Sequence, residues 1–164
     1  MGFSSVFGRI APTAEPMRSC HGDILVSAPA GSFRGGIMCR NLSPAGTSIS
    51  PNPMLGRNML VPIPGNKSSG SASLSFFIFN DTEAWRFWKN WSSLIYDVRT
   101  DNVALFHEIA GTAVVSLHGP GGGKVADWTM EGCWPSNVTP SALDSQTEGT
   151  PASIDVTLEC AAVR

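Results

Sequence analysis

The chain has 164 residues, enough for one domain with a sizeable core. Only 15% of residues are charged against 17 glycines and 12 prolines, a mixture that favours a mostly-β domain over a helical bundle. A net charge of −2 excludes the global electrostatic footprint of a nucleic-acid or anionic-membrane binder, and no run approaches the ~20 apolar residues of a membrane helix.

In chain order, the opening MGFSSVFGRI lacks the apolar core of a secretory signal, so the chain is expected to be made and kept in a cytoplasm. Strands are predicted at 23–28 (DILVSA), 33–40 (FRGGIMCR) and 58–63 (NMLVPI). Between the last two lies a Pro/Gly/Ser-rich stretch, 41–57, with Pro44, Pro51 and Pro53; GNKSSGSAS at 65–73 reads as a second flexible segment. Together they define an arm at about 41–72 within a single 1–164 domain. Met54, Leu55, Met59 and Leu60 are apolar side chains that such an arm has little chance to bury on itself, which points to a partner surface.

Residues 73–96 switch period. Leu74, Phe76 and Ile78 alternate with Ser73, Ser75 and Phe77 as in a strand. Asn80 offers a cap, with Glu83 three residues on as in a capping box, and a helix is predicted over about 81–96. Its stripe is Ala84, Trp88, Trp91 and Ile95, widened by Phe87 and Leu94, and core packing explains it better than a cofactor box. Further strands are predicted at 103–109, 112–118, 125–133 and 153–161, the middle pair joined through GPGGG at 119–123 as a hairpin. In the third, Ala126, Trp128 and Met130 oppose Asp127, Thr129 and Glu131. In the last, Ile154, Val156, Leu158 and Cys160 oppose Asp155, Thr157 and Glu159. If these strands are neighbours, Asp127, Glu131, Asp155 and Glu159 share one solvated face, either a plain soluble surface or one tuned for a basic partner or against a polyanion.

No catalytic constellation is written in the chain. Lys124 after GPGGG suggests a phosphate loop, but the spacing is one residue short and Val125 stands where Ser or Thr is required. His107 and Glu108, read in one strand, point to opposite faces, and His21 and His118 have no ligand spacing. Cys20, Cys39, Cys133 and Cys160 contain no CxxC pair, so neither a zinc nor a redox motif is present; the last three are read as buried free thiols in apolar runs. No enzyme, cofactor or metal is expected. Residues 1–79 hold six Lys/Arg against two Asp/Glu, and residues 80–164 hold five against eleven, an asymmetry that is incidental in a monomer but in an assembly of identical subunits would favour contact between neighbours.

Joined together, FNDTEAWRFWKNW (79–91), EGCWPSNVTPSALD (131–144) and SIDVTLEC (153–160) resemble the tail tube protein family of contractile-tailed bacteriophages, itself related in fold to type VI secretion tube proteins. IMCRNLSPAG (37–46) and the Gly56-Arg57 pair leading into VPIPG are weaker echoes, and the likeness covers nearly the whole chain. It implies a Gly-x-Trp-Pro-x-Asn-Val turn, here Gly132 to Val138, before the last strand. The chain departs from the family at SSGSAS, where relatives often carry an acid-containing turn.

The resemblance implies a mainly β (β+α) fold, an antiparallel β-sandwich or small barrel with one flanking amphipathic helix. Six such subunits would form a ring with an inter-subunit β-barrel lumen. It implies a virion tail component, made in the host cytoplasm: homohexameric rings stacked into a tube inside a contractile sheath, a conduit for DNA. Its partners would be copies of itself, the sheath protein, and baseplate and tail-terminator proteins, with DNA passing unread. Trp88, Trp91 and Ile95 would pack the helix on the core; Met54, Leu55, Arg57, Met59 and Leu60 would make the subunit-contact arm; Asp127, Glu131, Asp155 and Glu159 would line the lumen or meet the sheath. The alternatives are the inner tube of a tailocin or type VI secretion system, or a monomeric β-sandwich binding module.

Overall fold

The computed structural model describes residues 22–56, 59–79, 82–97, 99–119, 121–141 and 151–164. The fold is mainly β, antiparallel throughout, with two helices where the sequence suggested one. The strands are β1 (Gly22–Ala28), β2 (Gly31–Arg34), β3 (Cys39–Ser43), β4 (Thr47–Gly56), β5 (Met59–Ser69), β6 (Ser71–Phe77), β7 (Tyr96–Asp97), β8 (Asn102–Val103), β9 (Gly111–His118), β10 (Lys124–Pro140), β11 (Ser153–Glu159) and β12 (Ala162–Val163). The helices are α1 (Glu83–Ile95) and α2 (Phe106–Ile109).

The main sheet runs β2-β1-β9-β10-β11-β6-β3, with β12 on β10. Alternation fixes its register. Ile24 and Val26 lie opposite Val115 and Ala113, and Ile154, Val156 and Leu158 lie opposite Phe76, Leu74 and Ala72; all ten are buried. A one-residue slip of either pair would turn this set towards solvent.

Strand β10 carries the path from one half of the sheet to the other. Residues up to Cys133 pair with β9, and Trp134–Pro140 pair with β11. The transition falls at a bulge between Glu131 and Cys133, where Gly132 has φ +62 and a Cβ would come within 2.8 Å of the Ala161 Cβ. A second register shift, between Pro135 and Asn137, accommodates a proline that has no N–H for the ladder. The segment expected as a turn, Gly132 to Val138, is therefore strand, bent by its glycine and proline rather than ended by them.

Helix α1 plugs this core. Ala84, Phe87, Trp88 and Trp91 are buried, and rings of Phe33, Phe76, Phe87, Trp88 and Trp91 stack or meet edge-on with centroids 5.0–5.9 Å apart. The widened stripe is narrower than expected, since Leu94 is 49% exposed and Ile95 only half-buried. Thr82, in the left-handed region at φ 55, precedes the helix and makes Glu83 its first residue rather than its third; Asn80, the expected cap, lies outside the described residues.

Three further expectations change. The run 33–40 divides into β2, a 3-10 turn at Gly36–Met38 and the start of β3. The run 103–109 becomes β8 and α2, a single helical turn closed by Ala110 N–H to the Phe106 carbonyl and by Leu105 N–H to the Glu108 carboxylate at 3.1 Å. His107 and Glu108 thus sit on a helical turn, not on opposite faces of a strand. The arm is no loop: β4 and β5 form a two-stranded hairpin of their own.

Candidate assembly interface

In the β4–β5 hairpin, Pro51 lies opposite Pro64 and Pro53 opposite Pro62, with Leu55 opposite Leu60 next in line. Two facing prolines exchange no hydrogen bonds, so these are the ladder's wide pairs, whose N–H groups would otherwise point away from the hairpin. Proline removes those outward donors from both edges and discourages strand addition there. The intervening positions carry Asn52 opposite Ile63, Met54 opposite Val61 and Gly56 opposite Met59.

Because side chains alternate, Leu55, Leu60 and the four prolines share one face, and Met54, Met59, Val61 and Ile63 share the other. Both faces are open: Leu55 is 79% exposed, Met59 69%, Leu60 66% and Met54 61%. A two-stranded ribbon cannot cover either face itself and is marginal in water alone. The hairpin is tied to the body at its root, through Gly70 N–H to the Gly46 carbonyl at 2.8 Å and Ser69 Oγ donating to the Ala161 carbonyl at 3.2 Å. Met54, Leu55, Met59 and Leu60 are thus brought together; Arg57 lies outside the described residues. A second exposed apolar set, Leu94, Tyr96, Val103, Leu105 and Phe106, lies where α1 runs through β7 and β8 into α2. Sequence reading missed it because these residues are spread over the end of α1 and three short elements, β7, β8 and α2, with no common period.

The four acids are not one cluster in the ladder. Asp155 sits opposite Thr139 and Glu159 opposite Trp134, whereas Asp127 and Glu131 belong to the part of β10 that pairs with β9. Each has a local partner: Lys124 Nζ lies 2.8 Å from Asp127, and Arg164 lies 3.4 Å from Glu131. Ser75 Oγ donates to Asp155 at 2.6 Å, and Ser136 Oγ to Glu159 at 3.4 Å.

A further acid that sequence reading passed over is Asp23. Its Oδ1 accepts the N–H groups of Ile24 at 2.8 Å and Gly36 at 2.7 Å, and its Oδ2 accepts Arg34 Nε at 2.9 Å. Burial alone would raise this carboxyl, but the bonds from Gly36, Arg34 and Ile24 outweigh it and hold the group below its ordinary 3.8.

A cavity of about 530 Å³ opens at the seam where β3 approaches β1 and β9, beside a Trp128 that is 37% exposed rather than turned into the core. Among the described residues no group of three or more His, Cys, Asp or Glu is placed to hold a metal ion, and no helix is long and apolar enough to cross a membrane.

No family model and no curated protein matches the chain. Solved structures do. A chain of the PVC extracellular contractile injection system, from its sheath/tube terminator in the extended state, superposes with a TM-score of 0.67 at 17% identity, over 93% of this chain and 97% of the other. The tube-terminating cap of the anti-feeding prophage gives 0.65 at 15% identity, over 98% and 97%. The extended PVC sheath-tube complex gives 0.62 at 17%, over 93% and 92%. The fold is therefore that of tube-related chains of contractile injection systems.

Proposed function

We propose that the protein is the tube subunit of a contractile injection machine, and in its most specific form the major tail tube subunit of a contractile-tailed bacteriophage. Copies assemble into homohexameric rings, and the rings stack inside a sheath as a conduit for DNA. The hairpin carries this reading: a ribbon apolar on both faces and proline-blunted on both edges is built to be sandwiched, not extended. The exposed set around α2 supplies a different apolar surface on the same subunit. A contact between two unlike surfaces repeats from subunit to subunit, as a tube requires. A second reading, the tube of an extracellular injection system, a tailocin or a secretion system, is favoured by the source of the matched structures.

Negative-stain imaging and light scattering of the purified protein test assembly; rings or hollow tubes are expected. A protein that stays monomeric at high concentration and moderate salt, even with baseplate components added as a nucleus, refutes the proposal. DNA inside isolated particles separates the phage tail from the DNA-free machines.

A further inference from the structure

We propose that Cys133 and Cys160 form a reversible oxidation site, at which a hydroperoxide converts two neighbouring thiols into a cross-strand disulfide. Cys133 Sγ donates to Cys160 Sγ at 3.2 Å, and a disulfide needs the sulfurs only about 1 Å closer. The two residues stand one step beyond the last β10–β11 pair, Trp134 opposite Glu159. Cys133 is fully buried just after the Gly132 bulge, while Cys160 is half-buried at the end of β11 and so within reach of a small oxidant.

The hydrogen bond from Cys133 lowers the Cys160 thiol from its ordinary range, and donating that bond raises Cys133. Cys160 is therefore the thiol of the pair that more readily gives up its proton, and its thiolate is the nucleophile. Its sulfur attacks one oxygen of hydrogen peroxide; the O–O bond breaks, hydroxide leaves and takes up a proton, and Cys160 becomes a sulfenic acid. Cys133 Sγ then attacks the Cys160 sulfur. The S–O bond breaks as the S–S bond forms, and the departing hydroxide takes the Cys133 proton as water. Two thiols and one peroxide give one disulfide and two waters.

Cys39 is an internal control: it is also half-buried, but burial pushes its thiol up to about 12, so it offers little thiolate.

The site sits where three elements meet. Ala161 N–H bonds to the carbonyls of Glu131 and Gly132 at 3.1 and 3.3 Å, and its own carbonyl accepts Ser69 at the root of the hairpin. Strand β12 holds β10 over only two paired positions. The disulfide would clamp the hairpin root and the last strand onto β10.

The full-length protein, treated with a small excess of hydrogen peroxide and mapped without reduction, should yield a Cys133–Cys160 cross-linked peptide that dithiothreitol reverses. Cys39 should stay free for alkylation, and Tm should rise by about 4–16 °C, the span expected for a disulfide in a domain of this size. Cys133→Ala removes the resolving thiol, so Cys160 should then accumulate as a sulfenic acid trapped by dimedone. Should that variant not fold, the wild-type map decides alone. Oxidation of Cys39 ahead of Cys160, pairing of Cys160 with Cys20, sulfinic acid at Cys160 without cross-link, or a cross-link with no rise in Tm would each overturn the proposal.

Discussion

Trp91 donates its indole N–H to the Ile109 carbonyl at 2.9 Å, whereas the equally buried Trp88 finds no acceptor for the same group among the described residues. Truncating either to Ala should cost about 3–5 kcal/mol, the range for deleting a buried aromatic. Phe separates them: Trp91→Phe orphans a carbonyl, while Trp88→Phe removes a donor that is already unsatisfied. Trp91→Phe should therefore be the more destabilising by about 1–3 kcal/mol in urea titrations, and equal costs would contradict the difference in their environments. Asp23 makes a prediction about pH. Its folded-state pKa is depressed, so its contribution is fully present above the ordinary 3.8 and is lost as pH falls through the lowered folded value. Asp23→Asn should cost about 1–3 kcal/mol at pH 7, and the gap to the wild type should close as urea titrations are carried below pH 3.8; a gap that persists in acid would assign the loss to packing. The aromatic stripe was legible in the sequence because four buried residues recur at helical spacing. Asp23 was not, because two of its three partners, Arg34 and Gly36, arrive only when β1 and β2 pair.

The hairpin shows what an element's composition can hide. Pro51 and Pro53 lie in a stretch that reads as irregular chain, yet Pro51–Pro64 and Pro53–Pro62 fall on the one class of ladder position that tolerates them. Helix α2 was misread for a different reason: the apolar run Val103 to Phe106 leads into it as a strand would, and the Glu108 carboxylate on Leu105 N–H, with Ala110 N–H on the Phe106 carbonyl, closes it as a turn. By contrast β11 was legible because both of its neighbours, β6 and β10, bury the face that Ile154, Val156 and Leu158 present. If the hairpin is a contact device, replacing residues 50–56 with a short Gly/Ser linker should leave Tm of the subunit nearly unchanged and abolish long tubes. Each buried Leu or Met on a neighbour is worth up to about 1.5–3 kcal/mol, so Leu55→Ser with Leu60→Ser should shorten tubes without unfolding the subunit. Tubes of normal length and stability from the linker variant would remove the hairpin from assembly.

At the scale of the whole molecule, the two halves of the chain are not two halves in space. Strands β1, β2, β3 and β6 from the basic half share one sheet with β9, β10 and β11 from the acidic half. The charge asymmetry of the sequence therefore does not by itself define two oppositely charged ends, and the acids must be judged by position. Asp127 and Glu131 each have a basic neighbour that is itself about half-exposed or more, and exposed ion pairs contribute at most about 1 kcal/mol. Asp155 and Glu159 accept hydroxyl hydrogens, which an amide oxygen also accepts. The fourfold variant Asp127→Asn, Glu131→Gln, Asp155→Asn, Glu159→Gln should therefore fold, with Tm within about 5 °C of the parent. Its effect should appear in the assembly. If the acids line the channel, a neutral wall slows DNA by allowing closer approach of phosphates, since negative lining repels them. If they meet the sheath, sheath recruitment to preformed tubes falls, because basic partners lose their counter-charges. Particle ejection assays and sheath co-assembly read the two effects separately. Loss of the folded subunit would assign the acids to internal pairing instead, and unchanged ejection together with unchanged sheath assembly would remove them from both surfaces.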